Sequence, residues 1–181
     1  DEILHPAVKA ALGFFHVTEG LSIHHDGDLP ARTGLGSSSA FTVGLLHALY
    51  ALEGKRPSKD TLAKEAIHLE RDVLKENVGS QDQVAVAYGG LNKIVFTSDE
   101  KAEVIPITIG EERVRELERH VMLLFSGFSR DATVIAKDQI DNTPQKKSEL
   151  TRMYQMVDEA IGILLQDKRD ILDFGKLLHE S

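Results

Sequence analysis

The sequence predicts an α+β fold, and three observations carry the prediction. Apolar residues recur at spacings of three and four through several long segments, the mark of packed helices. Two short apolar runs, residues 91–96 and 102–109, flank a polar turn at 97–101 and read as an antiparallel hairpin. Near residue 119 the chain changes character, from mixed strands and helices to one strand followed by helices, so the expected domains are 1–119 and 120–181. A chain of 181 residues is long enough for one domain or a domain and a half with a sizeable core.

Taken in order, residues 5–17 place Val8, Leu12 and Phe15 on one face of an amphipathic helix that Gly20 ends. Leu21-Ser22-Ile23-His24-His25 alternates as a strand does. Its adjacent histidines then face opposite sides and read as ordinary strand residues, not as a shared metal site. In residues 40–52, Phe41, Val43, Leu45, Leu46, Leu49, Tyr50 and Leu52 are apolar on almost every side, the pattern of a buried helix. Gly54 is its C-cap candidate and Ser58 the N-cap of the next helix, about 59–74, whose stripe is Leu62, Ala66, Leu69 and Val73. Polar residues 77–83 lead into a short apolar helix broken by Gly89-Gly90. Residues 111–118 read as a charged, solvated helix, 120–125 as a buried strand and about 131–140 as a helix. A long amphipathic helix over 145–166 then has Leu150, Met153, Val157, Ile161 and Leu164 in stripe, and 171–178 is the last helix.

Composition excludes some functions. Asp plus Glu number 29 against 21 Lys plus Arg, a formal charge of −8, which argues against nucleic acid as the main partner. An anionic small substrate needs only a few local donors, and Arg32, Lys93 and Arg130 lie near the motifs below. There is no cysteine, hence no disulfide framework or thiolate metal site, which fits a reducing cytosol. With no apolar run of bilayer-spanning length and no signal-peptide pattern, a cytoplasmic location without a membrane partner is expected.

Leu29-Pro30-Ala31-Arg32-Thr33-Gly34-Leu35-Gly36-Ser37-Ser38-Ser39-Ala40 is the stretch that bears most on function. It reads as a turn feeding a helix N-terminus, where unpaired backbone N–H groups and the positive end of the helix dipole attract anions. Gly34 and Gly36 let the backbone close on a phosphate. A turn whose serines merely cap a core helix would have a similar sequence. No Lys follows the second glycine, so this is not a Walker A loop. Glu70 sits at the border of a buried face, where a solvated Glu paired with Arg71 is the plainer reading. Asp82 stands at a helix entrance, where the plainer reading is a cap, Ser80 or Asp82 holding first-turn N–H groups.

The run Pro-x-x-x-Gly-Leu-Gly-Ser-Ser-Ser-Ala closely resembles the second signature of the GHMP small-molecule kinases. His68-Leu69-Glu70-Arg71 resembles the helix that supplies that superfamily's magnesium-binding Glu. Gly79-Ser80-Gln81-Asp82-Gln83 followed by Tyr88-Gly89-Gly90 resembles the segment holding its active-site Asp, and 124–132 resembles the start of its second domain. Residues 33–44 and 82–94 look most like the D-glycero-D-manno-heptose 7-phosphate kinase branch. That resemblance implies the GHMP-kinase fold: an N-terminal domain of a kind shared with a ribosomal protein, and the beginning of a ferredoxin-like C-terminal domain.

It also implies ATP and Mg²⁺ as cofactors and a transfer of the γ-phosphate to a sugar hydroxyl, in this branch the anomeric hydroxyl of a sugar phosphate. On that pattern Gly34, Leu35, Gly36, Ser37, Ser38 and Ser39 cradle the nucleotide phosphates, Ser38 and Glu70 hold Mg²⁺, and Asp82 is the general base. Arg130 is a candidate for an anionic group of the substrate. The family's first signature is missing before Asp1 and its Gly-rich third signature after Ser181. The resemblance therefore implies a piece of a longer kinase, incomplete in both domains, whose own activity is in question and for which a homodimer is a candidate assembly. Another GHMP activity, such as a mevalonate-type kinase or the related decarboxylase, would share the cradle and the Asp. A non-catalytic ligand-sensing member would be expected to have lost Ser38, Glu70 or Asp82, and all three are present.

Overall fold

A computed structural model describes residues 3–18, 20–28, 34–99, 101–124 and 143–181. These are helices with one small antiparallel sheet, and they divide into two compact units, residues 3–89 and residues 90–124 with 143–181. The division expected near residue 119 falls inside the second unit. There the hairpin and the helix after it are tied to later helices by Lys93–Asp158 and by Arg113 to the Ile163 carbonyl.

In the first unit, α1 (Pro6–Phe14) starts on Pro6, with His5 Nδ1 accepting the Val8 N–H at 3.5 Å. It stops where His16 turns left-handed at φ 51° and the Val17 and His16 N–H groups close back on the Leu12 and Gly13 carbonyls. The strand expected at 21–25 is absent: among the described residues the only ladder belongs to the hairpin, so alternation here has no partner strand to satisfy its backbone. His24 instead bonds Asp26, and the His25 ring lies 4.9 Å from that of Phe41.

Helix α2 (Ser37–Leu52) buries Ser39, Thr42, Val43, Leu45, Leu46 and Leu49. It keeps one exposed stripe, Gly44, His47, Ala48 and Ala51, so it is not buried all round as expected. Gly54 at φ 69° ends it, with the Lys55 N–H on the Tyr50 carbonyl and the Gly54 N–H on that of Ala51. Ser58 caps α3 (Lys59–Ile67) through the Thr61 N–H at 3.0 Å. The core gathers Ala11, Val43, Leu45, Leu46, Leu49, Leu62, Ala66 and Leu69, so α1, α2 and α3 converge on it.

What the sequence did not announce is that the helix widens into a π-helix over His68–Val73. Its register carries Val73 off the expected stripe to 48% exposure while Leu69 and Glu70 stay buried. The segment ends on Lys75 at φ 59°, with the Leu74 N–H bonded to the Leu69 carbonyl and the Glu76 N–H to that of Glu70. Helix α4 (Gln81–Tyr88) then packs on α2 and α3, and Lys59 Nζ reaches the Tyr88 carbonyl at its C-terminus.

In the second unit, β1 (Asn92–Phe96) pairs antiparallel with β2 (Ala102–Pro106), Asn92 opposite Pro106, as the hairpin pattern predicts. Helix α5 (Glu111–His120) is charged but not wholly solvated. Arg113 is buried, donating from Nη2 to the Ile163 carbonyl at 2.7 Å and from Nη1 to Glu116. Residues 121–124 follow without ladder partners and are exposed, so the buried strand expected at 120–125 does not form over the described part. Helix α6 (Lys147–Leu164) buries Met156, Ile163 and Leu164 and leaves Leu150, Met153 and Val157 of the expected stripe exposed; α7 (Leu172–Glu180) closes the chain. The helix expected over 131–140 lies outside the described residues.

Candidate active site

Both carboxylates singled out by the sequence meet the first turn of α2. Gly36 is the N-cap of that helix, left-handed at φ 68° and ψ 23°, and it offers no side chain to the first-turn N–H groups of Ser37, Ser38 and Ser39. Gly34 is left-handed too, at φ 78°. Amides with no side-chain cap from Gly36, at the positive end of a 16-residue helix, suit an anion, and the conformation of both glycines is one that a side chain would strain.

Asp82 stands directly against that N-cap. A Cβ added at Gly36 would lie 3.2 Å from Asp82 Cγ and 3.3 Å from its Oδ2. The aspartate is exposed, in the first turn of α4, and Ser80 makes no side-chain cap there. The expected alternative, in which Ser80 caps this helix, is therefore not what the chain does.

Three residues further along α2, Ser39 is 2% exposed and its hydroxyl donates to Glu70 Oε2 at 2.9 Å. Gln83 Nε2 donates to the same oxygen at 2.5 Å. Glu70 itself is 1% exposed, so the plainer reading of a solvated surface Glu does not hold. Its other oxygen, Oε1, is buried with no hydrogen-bond partner among the described residues, as is Gln83 Oε1. A buried carboxylate oxygen left without a donor costs about 1–3 kcal/mol or more unless a cation or water completes it.

The residues present fit a magnesium site. Mg²⁺ takes hard oxygen ligands, typically one or two carboxylates, and keeps waters and substrate phosphates for the rest. Glu70 Oε1 offers such an oxygen. Among the described residues there is no group of three or more His, Cys, Asp or Glu that could hold a metal ion.

The other expected residues fall as follows. Ser37 is half-buried, while Gly34, Leu35 and Ser38 are exposed on the loop and first turn. It is Ser39, not Ser38, that touches Glu70. Residues 29–33, with Arg32, and Arg130 lie outside the described residues, and Lys93 is paired with Asp158 in the second unit. Ser39 and Gln83 were overlooked as partners of Glu70. Helical phase does not separate the two serines, since 39 aligns with the buried 42, 43 and 46 and 38 with the buried 42, 45 and 49. Gln83 carried no signal either.

Three comparisons bear on this geometry. Residues 3–90 match the profile of the GHMP kinases N terminal domain, a span that ends where the first compact unit ends. The D-glycero-alpha-D-manno-heptose 7-phosphate kinase of Campylobacter jejuni is 31% identical over 156 residues, 86% of this chain and 45% of that protein. The bifunctional fucokinase/GDP-fucose pyrophosphorylase of Arabidopsis thaliana is 26% identical over 113 residues, 60% of this chain and 10% of that protein. A crystal structure of a D-glycero-D-manno-heptose 1-phosphate kinase from Bacteriodes thetaiotaomicron superposes with a TM-score of 0.56 at 27% identity, covering 65% of this chain and 41% of that one. This chain thus spans less than half the length of each of these relatives. No described helix is long and apolar enough to cross a membrane. The left-handed glycine N-cap, the aspartate against it and the buried glutamate that the first turn of α2 meets through Ser39 all lie within the matched span, and residues 3–90 are a GHMP kinase N-terminal domain.

Proposed function

We propose that this chain supplies the nucleotide and metal site of an ATP-dependent sugar kinase that phosphorylates the anomeric hydroxyl of a heptose 7-phosphate. One observation carries the reading: a base candidate and a metal-ligand candidate, Asp82 and Glu70, reach positions 36 and 39 of one phosphate-binding turn. The heptose kinases among the relatives support the sugar class.

Phosphoryl transfer asks mainly for positioning and charge neutralisation. The free amides of Ser37, Ser38 and Ser39 hold phosphate oxygens at the end of α2, where the helix dipole favours them. Asp82 accepts the proton of the sugar hydroxyl as that oxygen bonds to the γ-phosphorus and the bond to the departing ADP oxygen breaks. Glu70, through Oε1, and Ser38, through its exposed hydroxyl, would hold Mg²⁺, which when bound neutralises phosphate charge. Residues 120–181 are then the beginning of the kinase's C-terminal domain, and the enzyme works in the cytoplasm.

The test is ADP release by the full-length protein over a panel of heptose 7-phosphate, fucose and mevalonate. Turnover of the heptose phosphate is expected. Turnover of mevalonate with none on any sugar would refute the substrate class.

A further inference from the structure

Gln83 stands where a helix-capping side chain is expected and does something else. Ser80 and Gln83 have the spacing of a capping box, in which the N-cap hydroxyl takes the N–H three residues on and the Gln reaches back to the N-cap N–H. Ser80 makes no cap, and the Gln83 amide is turned inward to a side chain 13 residues earlier. It is 1% exposed and leaves its own Oε1 without a donor among the described residues. A local rule broken at that expense is a mark of a functional constraint.

The geometry of the pair says what the constraint is. Ser39 and Gln83 both donate to Oε2 of Glu70, from two different helices, and neither touches Oε1. Two donors on one oxygen fix the plane and rotamer of the carboxylate and leave the second oxygen its full lone-pair capacity. Resting on the reading of Glu70 as a cation ligand, we infer that Gln83 is a positioning residue for the metal site. Its amide, with the Ser39 hydroxyl, locks Glu70 so that Oε1 is the oxygen presented to a divalent cation. The π-helix contributes from the other side, since the Glu76 N–H holds the Glu70 carbonyl at 3.0 Å and pins the backbone beneath the side chain.

The experiment is a titration of Mn²⁺, followed by its electron paramagnetic resonance signal, into the full chain in the presence of a non-hydrolysable ATP analogue. Gln83→Met keeps length, volume and helix propensity and removes the amide, both the donor to Glu70 and the unpartnered Oε1. It should weaken Mn²⁺ binding by about 10-fold or more, as loss of a ligand-orienting partner does, while Glu70→Gln abolishes it. The cation-free unfolding midpoint of Gln83→Met should stay near that of the wild type. Should Gln83→Met not fold, Ser39→Ala removes the other donor to the same oxygen and is expected to weaken Mn²⁺ in the same direction. Unchanged Mn²⁺ affinity in Gln83→Met, with binding lost in Glu70→Gln, would overturn the positioning role and leave the metal site standing. Wild-type binding by Glu70→Gln would remove the metal site and the positioning role together.

Discussion

At Gly36 two independent constraints fall on one residue. Its φ of 68° is left-handed, which costs a residue with a Cβ about 1–2 kcal/mol. The added atom would also sit 3.2 Å from the Asp82 carboxyl carbon, tighter than ordinary van der Waals contact. Gly36→Ala is therefore expected to lower stability by about 1–2 kcal/mol and to lower kcat as well, because Asp82 must shift to make room. A Cβ at Gly34 meets nothing within 4 Å among the described residues, so Gly34→Ala should show the backbone cost with a smaller loss in kcat. Thermal melting and ADP release on the two variants separate the effects; equal kcat losses would contradict the Asp82 contact. The glycines and both carboxylates are legible in the sequence because turn chemistry and motif order are local. Donors to Glu70 are not, because they depend on how the register of α2 and α4 meets the π-helix.

Among the elements, the π-helix gives the clearest test. A straight α-helix would put Val73 on the same stripe as Leu62, Ala66 and Leu69; the widened turn exposes it. Val73→Lys should then change stability by no more than about 0.5 kcal/mol, against about 2–5 kcal/mol for Leu69→Ala in the core. A large loss at Val73, read by chemical denaturation, would argue for an unbroken α-helix. A second element contact titrates. Tyr50 on α2 donates to Glu65 Oε1 on α3 at 2.6 Å, and that bond, then burial and the glutamate's charge, push the phenol up to about 12. Its folded value lies above the ordinary 10.0, so the contact's stabilisation is complete below pH 10 and is lost as pH rises towards 12. Tyr50→Phe is expected to cost about 1–2 kcal/mol at neutral pH and to flatten the decline between pH 10 and 12. An identical alkaline slope in wild type and variant would contradict this.

Across the whole molecule, helices were legible and strand partners were not. Each helix carries its own signals: Ser58 and Gly54 mark ends, and apolar spacing marks faces. The hairpin was legible because its two strands are neighbours in sequence. Residues 21–25 and 121–124 have the alternation or apolar content of strands, but a strand exists only where another pairs with it, and none does among the described residues. Composition and compactness divide the chain at different places for a related reason. Composition shifts near 119, whereas compactness is decided by long-range ties such as Lys93–Asp158 and Arg113–Ile163 that no local pattern shows.

The kinase reading joins the cradle, the base and the metal ligand into one site, and Asp82 is the member whose chemistry can be removed most cleanly. It is exposed and Asn is isosteric with it, so Asp82→Asn should leave the unfolding midpoint of the full-length protein unchanged. The most direct measurement is kcat for ADP release with heptose 7-phosphate in that variant. A fall of about 10²–10⁴-fold is expected for loss of a general base, and an unchanged kcat would contradict it.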